Sequence, residues 1–215
     1  ARTTVKVTTS WNNKGYSAKA DQEGYWKVMV KTPAASFTPY KVTVSDGKKI
    51  TFNNVLIGEV WVCSGQSNMA MPMKGYLGQP VEEASKYIMT ARPESLIRLC
   101  NVSERLSFEP MDTCGAVWHE HTPKGVAESS ATAYFFARTL YEALRIPVGI
   151  INVSHGDSPI EAWIDPEILR TEFADEFDLS HLETKVWPKE RAHKLPSVLY
   201  NGMLHPVMPF TAKGF

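Results

Sequence analysis

LIGEVWVCSGQSNM, residues 56–69, is the stretch of sequence that decides the fold. Its first part, LIGEVWVC, is an apolar run without regular polar alternation, which is typical of a strand buried on both faces of a sheet. Small and polar residues follow at once, so the strand should end in a tight turn. We therefore place the first strand of a parallel sheet at residues 57–63.

Two further apolar strands are predicted downstream, at LIRLCNV (residues 96–102) and IPVGIINVS (residues 146–154). Segments with helical spacing separate them, at residues 81–91 and 132–144. This alternation predicts an α/β fold in which helices cover both faces of a parallel sheet and sites lie at the carboxyl ends of the strands. Three strands make a small sheet with two open edges, so we expect the C-terminal part of the fold to lie outside these 215 residues.

The residues before this sheet have a different pattern. TVKVTTSW, GYWKVMV, YKVTVSD and KKITFNNV are short alternating segments separated by NNKG, DQEG and SDGKK. Such segments predict antiparallel strands and a small β-sandwich-like module. We therefore expect two domains, a β-rich accessory module at residues 1–56 and an α/β domain at residues 57–215.

Composition excludes several classes of partner. The chain has 23 basic and 23 acidic side chains, so it lacks the positive charge that binding to nucleic acid requires. Since no apolar run is long enough to span a membrane, a soluble protein is expected.

The N-terminus has no hydrophobic signal core, although it would suit a mature end left after signal removal. On that interpretation the protein is secreted or periplasmic, or lysosomal in a eukaryotic cell.

The cysteines and the HEH sequence predict no metal site. Cys63 and Cys100 lie in apolar runs and are expected to be buried thiols, whereas a disulfide involving Cys114 stays open. His119 and His121 flank Glu120 in a predicted loop without a third ligand.

Ser67 is the first candidate for chemistry. In CSGQSNM it follows the first buried strand, where a tight turn would lift its side chain out of the sheet and direct backbone N–H groups into the same crevice. Ser67 would then be nucleophile and oxyanion donor together. The same residues also suit a helix N-cap, with Ser67 or Asn68 accepting from free amides.

Gly156 is the second candidate, in NVSHGDSPIEAW (residues 152–163) at the exit of the last buried strand. A glycine lets its backbone N–H approach a ligand closely, which makes Gly156 a candidate oxyanion donor. A loop in which Asp157 or Ser158 caps a helix is the alternative. We place the amides of Gln66, Asn68 and Asn201 near the same cleft, where they would orient the loop or contact sugar hydroxyls.

No histidine can be assigned as the base that a serine nucleophile requires. His155 borders Gly156 and could reach the crevice, whereas His205 lies among apolar neighbours and should form a structural hydrogen bond. We expect neither to hydrogen-bond to Ser67.

LIGEVWVCSGQSNM, GIINVSHGDSPIEAWI and YNGMLHPVMPF together resemble the sialate O-acetylesterase family of SGNH (GDSL-like) hydrolases. This resemblance implies an SGNH-like fold in which Ser67 matches the nucleophile and Gly156 the oxyanion-hole glycine. Members more often read WGGTPIEAW at the second motif, so His155 and Asp157 depart from the pattern. That departure bears on substrate preference, because the Gly156 N–H is retained.

The resemblance also implies a reaction, removal of O-acetyl groups from a sugar without metal or organic cofactor. Sialic acid is the expected substrate, with acetylated xylan or another glycan as the alternative. Members carry QGES-like and DxxH-like motifs that are absent here, so a C-terminal segment or second chain would supply the catalytic histidine and aspartate. A non-catalytic carbohydrate-binding relative is the remaining alternative.

Overall fold

The computed structural model describes residues 2–215 and divides them into two units, the first ending at Glu59 and the second beginning at Val60. The sequence predicted the boundary between the two domains at residues 56 and 57. Each unit is built on its own four-stranded sheet.

The first unit is built on an antiparallel sheet with the order β2-β1-β3-β4. Its strands are β1 (Thr4–Thr9), β2 (Gly15–Lys19), β3 (Ser36–Ser45) and β4 (Lys49–Ile57). Along β1, buried Val5 and Val7 alternate with exposed Thr4 and Lys6, as expected for a sheet with one covered face. One such sheet corresponds to half of a sandwich.

One predicted strand of this unit is wrong. GYWKVMV (residues 24–30) forms no strand, and Trp26 and Met29 in it are exposed. The second strand is instead GYSAK, because a hydrogen-bonded turn connects it directly to β1. In this turn Asn12 Oδ1 accepts hydrogen bonds from Thr9 Oγ1 (2.8 Å) and from the Lys14 N–H (2.9 Å). The chain therefore reverses at once and pairs with β1.

The second sheet has the order β5-β8-β6-β7. Its strands are β5 (Glu59–Gly65), β6 (Ile97–Val102), β7 (Ala116–Glu120) and β8 (Val148–Ser154). The α-helices within residues 2–215 are α1 (Ser67–Ala70), α2 (Ala84–Thr90), α3 (Pro123–Glu128), α4 (Ala131–Leu144), α5 (Pro166–Glu172) and α6 (Ser180–Thr184). β5 and β8 are neighbours in this sheet, and they end at Gly65 and Ser154, directly before the loops of Ser67 and Gly156.

The sheet is mixed rather than wholly parallel. β6 pairs with β8 in parallel and with β7 antiparallel, so the loop predicted around His119 is an edge strand. Parallel strands need a crossover connection, usually a helix. Residues 103–115 contain no helix, so the chain returns along β6 in the opposite direction. At the other edge, Gly214 bridges to Trp61 in parallel.

Packing on both faces of this sheet confirms the predicted α/β layering. Leu99 and Ile150 face the side covered by α4, where Ala133 and Ala137 are buried. The next residues along the strands face the opposite side, which is covered by short turns; the buried residues there include Cys100, Ile151, Trp163, Leu199 and Met203. Within residues 2–215, no helix is long and apolar enough to cross a membrane.

The cysteines behave largely as expected. All three are free thiols, with Cys63 and Cys100 buried and Cys114 half-buried, so the disulfide left open for Cys114 is not formed. Burial raises the pKa of both Cys63 and Cys100 to about 11. Both therefore stay protonated at neutral pH and act as small apolar side chains.

His121 is a core residue rather than a loop residue. Its Nε2 is 3.0 Å from the Tyr134 hydroxyl, its Nδ1 is 3.0 Å from the Arg92 carbonyl oxygen, and its ring stacks on that of Tyr134. Burial lowers the pKa of His121 below its ordinary value, since the core disfavours the charged imidazolium.

The free energy of unfolding should therefore depend on His121 at mildly acidic pH. A histidine with a lowered pKa in the folded state contributes stability above its unfolded pKa, about 6.5, which is lost as pH falls through the folded value. Urea unfolding between pH 7 and pH 5 should show a smaller loss of stability for His121→Gln than for the unsubstituted protein. If the free energy of unfolding fell equally with pH in both proteins, the lowered pKa of His121 would be contradicted.

Candidate active site

Ser67 stands on a tight turn directly after β5. The strand ends at Gly65, whose φ of +153° is unfavourable for other residues, and α1 begins at Ser67. A Cβ on Gly65 would also lie 3.1 Å from Cβ of Met69, so the glycine allows the chain to fold back closely. The turn leaves the Ser67 side chain exposed.

An open depression of about 370 Å³ surrounds Ser67. Its lining consists of the end of β5, the turn, the start of α1 and one residue of α4: Ser64, Gly65, Gln66, Ser67, Asn68, Met69 and Thr132. The Thr132 hydroxyl donates to the backbone oxygen of Asn68 at 3.1 Å, which links the turn to α4. Gln66 and Asn68 thus both line the depression.

The Gln66 side chain satisfies both hydrogen-bond donors of Ser67. Its Oε1 accepts from Oγ–H of Ser67 at 2.7 Å and from the backbone N–H at 3.1 Å. A neutral amide oxygen is a poor proton acceptor, so this contact holds the hydroxyl without activating it. It also covers the backbone N–H that an oxyanion would use.

The Gly156 loop lies against the Ser67 turn. β8 ends at Ser154, and the His155 N–H donates to the Gly65 carbonyl oxygen at 3.1 Å, which ties the two loops together. A Cβ on Gly156 would lie 4.0 Å from Ser67 Oγ, with no other atom from outside the immediate neighbours within that distance. The Gly156 N–H donates to no acceptor within residues 2–215.

His155 and His205 have other hydrogen-bond partners than Ser67. His155 Nδ1–H donates to the Gly156 carbonyl oxygen at 2.8 Å, and its Nε2 is 3.8 Å from a Glu104 carboxylate oxygen. His205 Nδ1–H donates to the Met111 carbonyl oxygen at 2.9 Å, which confirms the structural hydrogen bond expected there. Among residues 2–215, no histidine hydrogen-bonds to the Ser67 hydroxyl.

Asn201 is not part of the depression, contrary to expectation. It is fully buried in the π-helical turn Tyr200–Leu204, and its Nδ2 donates to the Ser107 carbonyl oxygen at 3.3 Å. Its backbone oxygen accepts from the Met111 N–H at 2.9 Å. Asn201 thus holds the long connection between β6 and β7, which the sequence motif alone does not reveal.

Sequence reasoning missed a polar cluster beside Gly156. Asp157 accepts a hydrogen bond from Lys194 Nζ at 2.8 Å and lies 3.7 Å from His193 Nε2, while the rings of His193 and His155 stack at 4.7 Å. The Lys194 contact lowers the pKa of Asp157. Neither helix cap proposed for this loop is formed, since the helical turn at Ile160–Trp163 begins after Pro159 and has no side-chain cap. Within residues 2–215, no group of three or more side chains is arranged to hold a metal ion.

Comparisons with known proteins bear on this site. No family model matches the chain. The human sialate O-acetylesterase is 28% identical over 211 residues, which cover 92% of this chain and 38% of that protein; the mouse enzyme is 29% identical over 191 residues, which cover 75% and 34%. This chain resembles the sialate O-acetylesterases.

A solved structure extends the resemblance to the fold. The crystal structure of a novel carbohydrate acetylesterase from Xanthomonas citri superposes with a TM-score of 0.82 at 31% identity, over 99% of this chain and 44% of that one. The chain thus spans about two fifths of the length of these proteins. The α/β fold of the acetylesterase is therefore shared.

Proposed function

We propose that this chain carries the nucleophile and the oxyanion hole of a carbohydrate O-acetylesterase. The observation that supports this most directly is that an exposed Ser67 hydroxyl lies beside Gly156, whose N–H has no acceptor among residues 2–215. The similarity to sialate O-acetylesterases and to a carbohydrate acetylesterase supports the reaction type.

In the proposed reaction, Ser67 Oγ attacks the carbonyl carbon of an O-acetyl group while a base removes the hydroxyl proton. The N–H groups of Ser67 and Gly156 hold the oxyanion of the tetrahedral intermediate, where one donor is typically worth about 100- to 1,000-fold in rate. The intermediate collapses to an acetyl-serine, and the sugar oxygen leaves with the proton. Water then releases acetate. The chemistry requires no metal or organic cofactor.

Gln66 must move during this reaction. Its Oε1 covers the Ser67 N–H, which the oxyanion requires. The substrate carbonyl would displace the Gln66 amide oxygen, and the released side chain could contact the sugar. On this proposal Gln66 lies at the substrate rather than behind it.

We propose that the base is a histidine oriented by an aspartate, both from a C-terminal segment or a second chain. This is supported by the hydrogen bonds of His155 and His205, which engage backbone oxygens instead of Ser67. Residues at the β5 edge also support it: Lys213 N–H donates to the Val60 oxygen, and Val62 N–H to the Gly214 oxygen. That pairing directs the chain along the strand that leads to Ser67.

O-acetylated sialic acid is the proposed substrate, and acetylated xylan or another glycan is the alternative within the same chemistry.

A second candidate function, carbohydrate binding without catalysis, is favoured by one observation. Gln66 satisfies both donors of Ser67, which is the arrangement of a capped serine at a helix start.

Acetate release separates these functions. The protein with its natural flanking residues should release acetate from O-acetylated sialic acid, and much more slowly from acetylated xylan. Faster release from acetylated xylan would contradict sialic acid as the substrate, but it would still support an O-acetylesterase reaction. No release from either substrate, with binding to the sugars retained, would support the non-catalytic alternative.

A further inference from the structure

A buried hydrogen-bond chain ends at the loop that carries Gly156. The indole Nε1–H of Trp163 donates to Ser158 Oγ at 2.9 Å, and Ser158 Oγ–H donates to the His155 carbonyl oxygen at 2.7 Å. Ser158 and Trp163 are each only 9% exposed. The hydroxyl proton of Ser158 is thereby directed to one acceptor, because its oxygen already accepts from the indole.

This acceptor belongs to the same peptide group as the Gly156 N–H. A peptide group is planar, so fixing the direction of the His155 carbonyl also fixes the direction of the N–H on its far side. Two further contacts restrain the loop, from His155 N–H to the Gly65 oxygen and from His155 Nδ1–H to the Gly156 oxygen. Among residues 2–215, only Ser158 donates a hydrogen bond to the carbonyl oxygen of that peptide group.

We propose that Ser158 is a positioning residue that aligns and polarises the Gly156 N–H as an oxyanion donor. This inference rests on the proposed esterase function. Hydrogen bonds in series polarise one another, so a carbonyl that accepts from Ser158 makes its own N–H a stronger donor. Trp163 strengthens the chain from its far end.

The Ser158→Ala variant tests this role. Because the Gly156 N–H would remain but lose its alignment, we expect kcat for acetate release to fall roughly 10-fold, less than the 100- to 1,000-fold typical of a lost donor. KM should change little, since the oxyanion forms only in the transition state. Ser158→Thr retains the hydroxyl and should restore most of kcat.

A purely structural role is separated by a second pair of variants. Ser158→Ala leaves the buried indole N–H of Trp163 without an acceptor, which destabilises the fold. Trp163→Phe removes that donor and keeps the bond from Ser158 to the His155 oxygen, so kcat should fall much less than in Ser158→Ala. The double variant Ser158→Ala with Trp163→Phe should regain thermal stability relative to Ser158→Ala alone, while kcat stays low.

Recovery of kcat together with stability in the double variant would overturn the proposal, as would an unchanged kcat in Ser158→Ala. Failure of the proposed function would look different. The unsubstituted protein would then release no Ser67-dependent acetate, and the role of Ser158 in catalysis would fail with it. An active protein that is indifferent to Ser158→Ala would overturn this inference alone.

Discussion

Ser67→Ala should lower acetate release from an O-acetylated sugar by at least about 1,000-fold, because loss of a catalytic serine removes the covalent route and leaves only residual catalysis from the oxyanion hole and binding. KM should stay within a small factor of its normal value, since the methyl group of alanine fits the exposed site. Steady-state kinetics with released acetate as the readout would measure both quantities.

Ser85→Ala is the matched control for that measurement. Ser85 is exposed on α2, outside the residues that line the depression, so its loss should leave kcat unchanged. A phosphonate ester that reacts with activated serines should label Ser67 in the unsubstituted protein, as shown by peptide mapping, and leave Ser67→Ala unlabelled. Substantial turnover by Ser67→Ala would contradict the serine mechanism.

The convergence of the two loops could be predicted from sequence because it depends only on local patterns. An apolar run followed by small polar residues marks the carboxyl end of a buried strand, and such ends meet at one edge of the sheet. The observed adjacency of β5 and β8 follows that rule. The cluster of Asp157 with Lys194 could not be found in this way, because its members come from distant and unrelated segments.

Two predictions were wrong, the strand at GYWKVMV and the loop around His119, and both depend on which strands pair in the folded sheet. GYWKVMV has the composition of a strand, yet the turn at Asn12 gives the partner position on β1 to GYSAK. AVWHE pairs with β6 because the connection before it contains no helix, a property of residues 103–115 rather than of the strand. Strand propensity indicates that a segment is able to form a strand. It does not indicate which neighbouring strand that segment will pair with.

Asn201 shows the same limit at the level of one side chain. From sequence alone the amide of Asn201 could contact a substrate or stabilise the core, and its buried contacts with Ser107 and Met111 assign it to the core. Those contacts fasten the β6–β7 connection, and the glycine after Asn201 makes them sterically possible.

Gly202→Ala should therefore unfold or strongly destabilise the second unit. A Cβ at this position would lie 2.8 Å from the carbonyl carbon of Arg105, closer still to its oxygen, and 3.2 Å from the carbonyl carbon of Leu106. These are backbone atoms of the β6–β7 connection, so no side chain can rotate away. We expect a loss of about 3 kcal/mol or more in the free energy of unfolding, at or above the upper end of what overpacking typically costs, measurable by urea denaturation.

Gly156→Ala is the contrasting variant, because the nearest atom to its Cβ from outside the immediate neighbours would be Ser67 Oγ at 4.0 Å, an ordinary contact distance. Its free energy of unfolding should stay close to normal, while the methyl group beside the nucleophile should impair acetate release. Gly202→Ala should instead lose activity only in proportion to the unfolded fraction, since Gly202 contacts the β6–β7 connection and not the depression. A stable Gly202→Ala protein would show that the π-helical turn can shift away from that connection, and the steric argument would be wrong.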